Sequence, residues 1–211
     1  MGKDFKLYLA GSLFTEKDRM TRDLELCMLK EEFGEEVEIY SPMHNDEIND
    51  KSKEVTPEDI FNQDTEKVLE SDFITASLEE VETDPGVAVE LGIAMGVNAV
   101  LSTLLGLEEK LYEQGINDMS ALTDSIFAIM PPKKICANYS DIRLTHNNKL
   151  AGIYKDMGLN QYVVGGLLSD ERHTISQGFV NSIEEIKKEI ELFKEFDKVW
   201  EELEDLNKEE E

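Results

Sequence analysis

The 211-residue sequence contains few cysteine, proline and tryptophan residues. Its two cysteines, Cys27 and Cys136, lack the spacing of metal ligands and lie in apolar surroundings. We expect both to be buried as small hydrophobic side chains in a reducing cytoplasm. No apolar run is long enough to span a bilayer and no signal peptide is evident, so we expect a soluble, cytoplasmic protein that does not contact membranes.

Positive charge is also scarce: 21 Lys and Arg residues against 47 Asp and Glu residues give a formal net charge of −26 at pH 7. Nucleic-acid binding depends on clusters of Lys and Arg, and the sequence contains none. We therefore expect neither DNA nor RNA as a partner. The negative charge also argues against highly phosphorylated substrates and favours a neutral small molecule.

Several catalytic motifs are missing. The chain reads AGSLFT after its first predicted strand, where a nicotinamide-binding protein carries Gly-x-Gly-x-x-Gly. Neither a Walker loop nor a Gly-x-Ser-x-Gly nucleophile elbow is present. The three histidines, His44, His146 and His173, lie in polar segments without metal-ligand spacing, so we expect surface histidines, no metal site and no cofactor.

The sequence does contain alternating strand and helix patterns. Apolar runs predict strands at residues 5–11, 37–41, 73–78 and 135–139, with a weaker fifth strand at 173–176. Helices are predicted between them, and Thr15 and Thr56 are placed to cap two of these helices. The order predicts a single α/β domain over residues 1–211, with a doubly wound, mostly parallel five-stranded sheet of the flavodoxin or Rossmann type and helices on both faces.

Two segments extend this pattern. Residues from about 97 to 133 are predicted as a helical insertion, and a long acidic helix is predicted from about 182 to 206, capped by Ser182. The polar stretches 43–56 and 141–158 are predicted as loops.

The segment 71–96 contains the strongest candidate for a catalytic residue. It runs from an apolar strand through an acidic loop into a helix, and Glu90 lies near the start of that helix between apolar neighbours. A desolvated carboxylate needs either partners or a function, and ligands of open α/β sheets bind beyond the carboxyl ends of the strands. Asp84 directly precedes the helix and is equally well placed as its cap. Asp64, taken alone, is more typical of a solvated helix residue.

Five segments resemble the nucleoside 2-deoxyribosyltransferase family: LYLAGSLFT, YSPMHND, FNQD, DPGVAVELGIA and GLNQYVVGG. The intervals of 20 residues from Asp64 to Asp84 and 6 residues from Asp84 to Glu90 also match that family. The resemblance implies a pentosyltransferase that acts on the N-glycosidic bond of 2′-deoxynucleosides, with nucleosides and free bases as its partners.

The resemblance also implies roles for individual residues. Glu90 is the nucleophile that forms a covalent deoxyribosyl intermediate, and the reaction retains configuration. Tyr8 hydrogen-bonds Glu90, although a core aromatic is the plain alternative. Asp64 and Asp84 protonate the departing base or hold its edge, and which of them donates the proton is left open.

Four further positions are implied to bind substrate. Gly11 and Phe14 belong to the first loop, where the Phe14 ring could stack on the base. Asp46 lies where a polar residue touches the base. Asn160 reaches the hydroxyls of the sugar from a neighbouring subunit, which implies a homo-oligomer. The alternative interpretation of Asn160 is a helix cap.

Two other functions fit the same sequence. A hydrolase of deoxynucleosides or of their 5′-monophosphates shares the sheet and the Glu90 helix, with water in place of the acceptor base. A non-catalytic nucleotide-binding or interaction module is the second alternative, with the long C-terminal helix as its partner surface.

Overall fold

The computed structural model describes residues 5–50, 52, 54–79, 83–116, 119–140, 149–150, 153–154 and 159–209. Its strands are β1 (Phe5–Ala10), β2 (Val37–Tyr40), β3 (Phe73–Ser77), β4 (Lys134–Asn138), β5 (Lys149–Leu150), β6 (Ile153–Tyr154) and β7 (His173–Ser176). Its α-helices are α1 (Glu16–Phe33), α2 (Asp46–Asn49), α3 (Pro57–Glu70), α4 (Pro85–Glu113), α5 (Ser120–Ile129), α6 (Gln161–Leu168) and α7 (Phe179–Glu209), and a short 3₁₀ turn spans Pro42–His44.

Five of these strands form one parallel sheet in the order β2-β1-β3-β4-β7. Every strand pair in this sheet is parallel, so the predicted α/β fold with a five-stranded sheet is confirmed. Strands β5 and β6 pair with each other in antiparallel orientation, inside the stretch that was predicted as a loop.

Helices cover both faces of the sheet, and each strand contributes to both cores because its successive side chains point in opposite directions. Phe5, Leu7 and Leu9 of β1 pack against α1 and α7, whereas Tyr8 and Ala10 lie in the core beneath α3, α4 and α6. Each large apolar side chain buried in this way stabilises the fold by about 1.5–3 kcal/mol. The near-continuous apolar runs of the strands therefore reflect two cores, and the carboxyl ends of the strands lie at one common edge.

The predicted helix starts at Thr15 and Thr56 are confirmed. Each threonine accepts a hydrogen bond from the backbone N–H three residues on, and the aspartate at that position bonds back to the threonine N–H. The predicted start of the C-terminal helix at Ser182 is wrong. Helix α7 begins at Phe179, so Ser182 lies inside the helix and is buried. Its apolar stripe is buried at Ile183 but exposed at Val199.

Helix α4 is one unbroken helix of 29 residues, so the predicted insertion continues it instead of starting a new helix at residue 97. Gly92 and Gly96 do not end the helix, because a helix interior tolerates glycine at a modest energetic cost. By length and composition alone, α4 is apolar enough to cross a membrane, contrary to the expectation that no such segment exists. The core helix of a soluble protein passes the same test, and one face of α4 packs on the sheet through Leu91 and Ala94.

Two expectations about single residues are wrong. Cys27 is exposed, because it lies on the outer side of α1; Cys136 is buried as expected. His173 is also buried, and its Nε2 lies 2.8 Å from Asn98 Nδ2, so it is a core residue of β7. His44 is exposed, as expected, and His146 lies outside the described residues.

Candidate active site

Glu90 lies in the second turn of α4, next to the edge of the sheet at which the parallel strands end. The Tyr8 hydroxyl donates a hydrogen bond to Glu90 Oε1 over 2.6 Å. The other oxygen, Oε2, is buried and has no hydrogen-bond partner among the described residues. One oxygen of the carboxylate is therefore held in place, and the second is left without a partner.

The position of Tyr8 in the sheet explains this contact. Tyr8 belongs to β1, pairs in register with Ile74 of β3, and is fully buried on the face covered by α4. Burial and the negative charge of Glu90 both raise the pKa of Tyr8 above its ordinary value. Tyr8 therefore keeps its proton at neutral pH and acts as a permanent hydrogen-bond donor to the carboxylate.

The environment of Glu90 favours its neutral form more than water does. Burial raises the pKa of Glu90 from 4.5 to about 7; the Tyr8 hydrogen bond opposes this rise, and the charges of Asp64 and Asp84 add to it. The side chain is therefore only partly ionised at neutral pH. A poorly solvated carboxylate is also a stronger nucleophile than one in water, because less hydration has to be removed before it reacts.

A second tyrosine–carboxylate pair lies beside the first. The Tyr40 hydroxyl, at the end of β2, donates to Asp64 Oδ1 over 2.7 Å, and the ring centroids of Tyr8 and Tyr40 are 5.5 Å apart. Burial raises the pKa of Asp64, and the Tyr40 hydrogen bond opposes that rise. The interpretation of Asp64 as a solvated helix residue is therefore wrong, since its carboxylate is half-buried and bonded.

Asp84 has a different environment. It caps α4, and its Oδ1 accepts hydrogen bonds from the backbone N–H groups of Gly86 over 2.8 Å and Val87 over 3.2 Å. The capping role is confirmed. Two backbone donors therefore hold this oxygen at the N-terminus of the helix.

Gly11 is required by packing in the loop after β1. A Cβ atom at this position would lie 1.5 Å from Arg22 Nη1. That guanidinium is buried, donates to the Ala10 carbonyl over 3.2 Å, and forms an ion pair with Glu25 at 2.8 Å. Gly11 therefore leaves room for a buried ion pair that holds the loop.

In the part of the chain that the structure describes, the remaining predicted positions form no hydrogen bond or ring contact with either tyrosine–carboxylate pair. Phe14 is 74 % exposed in the loop between β1 and α1. Asp46 is exposed at the first position of α2. Asn160 is exposed, and its Oδ1 accepts a hydrogen bond from the N–H of Tyr162 over 2.9 Å. Within the chain it therefore acts as the cap of α6, which was the alternative interpretation of this residue.

Two neighbouring residues were missed by the sequence analysis. Tyr40 bonds Asp64, and Asn45, rather than Asp46, donates from Nδ2 to the Tyr40 hydroxyl over 2.8 Å. Both residues belong to YSPMHND, one of the segments that resemble the family, and this resemblance was the only sequence feature that could have indicated them. The strand register that places Tyr40 beside Tyr8 was not predicted.

A cavity of about 900 Å³ lies elsewhere, between α3 and α5. Lys6, Asp72 and Phe127 are among its lining residues, and none of the predicted site residues lines it. It lies at the amino ends of the strands, whereas open α/β sheets bind their ligands at the carboxyl ends. Among the described residues, no group of three or more His, Cys, Asp or Glu side chains could hold a metal ion.

Comparisons with known proteins identify the family of the chain. A family model described as nucleoside 2-deoxyribosyltransferase matches residues 7–152, which is more than half of the chain. The chain is similar to the crystal structure of a conserved protein from Enterococcus faecalis V583, with 26% identity and a TM-score of 0.58 over 89% of this chain and 99% of that one.

A 2-desoxiribosyltransferase from Leishmania mexicana also matches, with 16% identity and a TM-score of 0.47, covering 89% of this chain and 97% of that one. The comparison with curated proteins gives no match. The family match contains Tyr8 of β1, Asp64 of α3, and both Asp84, the cap of α4, and Glu90 within that helix. The chain belongs to the nucleoside 2-deoxyribosyltransferase family, and its function is that of a deoxyribosyl-transferring enzyme.

Proposed function

We propose that the protein moves 2-deoxyribose between nucleobases through a covalent ester on Glu90, with retention of configuration. The observation that carries the proposal is the state of the Glu90 carboxylate. Tyr8 fixes Oε1 at 2.6 Å, and Oε2 is desolvated and has no partner among the described residues. An oriented carboxylate with one unbonded oxygen is suited to attack a substrate that reaches this oxygen.

The first half of the reaction forms the ester. Glu90 Oε2 attacks C1′ from the face opposite the base, and the C1′–N bond breaks as the C1′–O bond forms. The bonding electron pair leaves with the base, which takes one proton from an acid. In the second half, a ring nitrogen of a new base attacks C1′ and its proton returns to the acid, while the ester bond breaks and Glu90 leaves as a carboxylate. Two inversions give net retention.

The surroundings of the two aspartates favour Asp64 as the acid. The Asp84 carboxylate is already used as the cap of α4, because its Oδ1 accepts hydrogen bonds from two backbone N–H groups. Burial raises the pKa of Asp64, so its protonated form is more accessible at neutral pH. We assign proton donation to Asp64 and the holding of the base edge to Asp84.

The charges of the site favour an uncharged nucleoside as substrate. Glu90, Asp64 and Asp84 are mutually close enough that the charges of both aspartates raise the pKa of Glu90. The carboxylates of Glu90 and Asp84 stabilise the positive charge that develops on the sugar in the transition state, whereas they repel a 5′-phosphate. Arg22, a nearby cation, is buried and paired with Glu25. These features favour nucleosides over nucleoside monophosphates.

The test combines product analysis with a trapped intermediate. The protein is incubated with deoxyinosine, with and without free adenine, and the expected product of the mixture is deoxyadenosine. Release of hypoxanthine alone indicates hydrolysis. Intact-mass analysis with a slow substrate is expected to show one added deoxyribosyl unit on Glu90.

Glu90→Gln provides the residue-specific test, and its matched control is Glu109→Gln, on an exposed turn of the same helix. The expected loss of turnover at Glu90 is several orders of magnitude, with retained folding. Base exchange that survives Glu90→Gln contradicts the proposal.

We also propose that the active site is completed in a homo-oligomer, with Asn160 of one subunit reaching the sugar in another. Asn160 is exposed, and α4 carries an uncharged outer surface: no charged residue occurs from 91 to 107, and Val89, Val100 and Leu107 are about half exposed. Two copies of a chain with net charge −26 repel each other, so an uncharged surface suits their contact.

Subunit mixing tests this arrangement. Glu90→Gln and Asn160→Ala are each expected to be nearly inactive, and mixed oligomers are expected to recover part of the activity because some sites contain both intact residues. A monomer by light scattering, or no recovery after demonstrated subunit exchange, contradicts the proposal.

A further inference from the structure

Tyr40 is the centre of a hydrogen-bond chain that ends at Asp64. Its hydroxyl has one proton, and this proton is donated to Asp64 Oδ1 over 2.7 Å. Its oxygen accepts a hydrogen bond from Asn45 Nδ2 over 2.8 Å. The tyrosine therefore acts both as a donor and as an acceptor, and the direction of its proton depends on Asn45.

The orientation of Asn45 is fixed by its own contacts. Its Oδ1 accepts from the backbone N–H of Glu47 over 3.0 Å, which caps α2, and its Nδ2 also donates to Gln63 Oε1 over 3.0 Å. The amide cannot rotate by half a turn without losing these bonds. Its NH₂ group therefore faces Tyr40, and the Tyr40 proton has to point towards Asp64.

This direction determines which oxygen of Asp64 can carry an acidic proton. Oδ1 is occupied as an acceptor, so a proton on Asp64 resides on Oδ2. A carboxylic acid that is held through one oxygen presents the proton on its other oxygen in a fixed direction. Proton transfer to the leaving base then requires less reorientation of the acid.

We propose that Tyr40 is a positioning residue that, with Asn45, holds Asp64 so that its Oδ2 proton is presented to the departing base. The proposal rests on the proposed function of this site. In the first half-reaction the O–H bond of Asp64 breaks and an N–H bond forms on the base. Tyr40 keeps its own proton. Tyr8 has a separate effect, because it contacts the nucleophile instead of the acid.

The dependence on the leaving base tests this division. Deoxyinosine needs protonation of its base, whereas a deoxyguanosine methylated at N7 releases a neutral base without a proton. Tyr40→Phe is expected to lower kcat for deoxyinosine by about 10-fold or more, because a positioned general acid contributes about 10²–10⁴-fold. The same variant is expected to lower kcat for the N7-methyl substrate by no more than about 2-fold, since that reaction does not use Asp64 as an acid.

Three further variants complete the experiment. Asp64→Asn is expected to show a larger loss with the same selectivity for deoxyinosine. Tyr8→Phe is expected to slow both substrates alike. Tyr112→Phe, at a tyrosine that is 70% exposed on α4, is the matched control and is expected to change neither rate.

The possible outcomes separate the two proposals. If Tyr40→Phe lowers both rates equally, or neither, the positioning role of Tyr40 is refuted while the proposed function stands. If the wild-type protein cleaves neither substrate, the proposed function is refuted and the positioning role falls with it. If Tyr40→Phe does not fold, Asn45→Ser serves instead, because serine retains the α2 cap but not the amide donor. It is expected to show the same selective loss.

Discussion

The hydrogen bond between Tyr8 and Glu90 gives a quantitative prediction for the pH dependence of the reaction. Burial holds the pKa of Glu90 at about 7, and the Tyr8 hydroxyl, which lowers it, is removed in Tyr8→Phe. A hydrogen bond to a charged group contributes about 1.5–3 kcal/mol, and one pKa unit corresponds to about 1.4 kcal/mol. The pKa of Glu90 is therefore expected to rise by about 1 to 2.

The sign of the effect on activity follows from the proposed role of Glu90 as the nucleophile. A nucleophile has to be ionised, so kcat/KM falls on the acidic side of the profile as pH drops through the pKa of Glu90. In Tyr8→Phe this acidic limb is expected to move to higher pH, and activity at pH 6 is expected to fall more than activity at pH 8.

The N7-methyl substrate is the best probe for this measurement. Its reaction needs no acid, and ionisation of the substrate itself affects the wild type and the variant alike, so the difference between their two profiles reports Glu90. Tyr112→Phe again serves as the control. An acidic limb that stays in place, or that moves to lower pH, refutes the claim that Tyr8 favours the ionised form of Glu90.

Three further predictions concern stability. Because the pKa of Glu90 is raised from 4.5 to about 7, its ionisation destabilises the fold as pH rises through this window. Glu90→Gln is therefore expected to stabilise the fold at pH 8 by about 1–2 kcal/mol, and by much less at pH 5, as measured by urea unfolding. Gly11→Ala is expected to cost about 3–5 kcal/mol, since the new Cβ displaces Arg22 from a buried ion pair. Its control, Gly92→Ala, at an exposed site with open space, is expected to stabilise α4 by about 0.5–1 kcal/mol in thermal unfolding. Thr56→Ala removes a cap and is expected to cost about 1 kcal/mol; an unchanged midpoint contradicts the role of the capping box.

Local chemistry predicted much of the fold. Thr15 and Thr56 indicate their helices because a side-chain oxygen followed by a carboxylate three residues on satisfies free backbone donors, and this needs no distant partner. The strands are evident because both of their faces are buried. Ser182 failed as a cap because α7 begins earlier, at Phe179, so a residue type that favours caps lies inside a helix that is stabilised by packing.

The candidate site was only partly predictable, because its contacts join distant parts of the chain. Glu90 is evident from its apolar neighbours, and the likeness to a family supplied its link to Tyr8. Asp64 alone looked solvated, because nothing in its own helix shows that Tyr40 comes within hydrogen-bond distance. That contact depends on how β2 pairs with β1 and on how α3 packs above them, and a periodic pattern encodes neither.

The register between β1 and β2 has a consequence for how tolerant the enzyme is of change. Tyr8 and Tyr40 are directly paired on adjacent parallel strands, so the spacing of the two phenols is set by the backbone ladder, about 4.8 Å across. Insertions in the surrounding loops leave this spacing intact. A slip of β2 by a single residue, in contrast, turns Tyr40 to the opposite side of the sheet. Asp64, the proposed acid, then loses its hydrogen bond, while Glu90, the proposed nucleophile, keeps its bond to Tyr8.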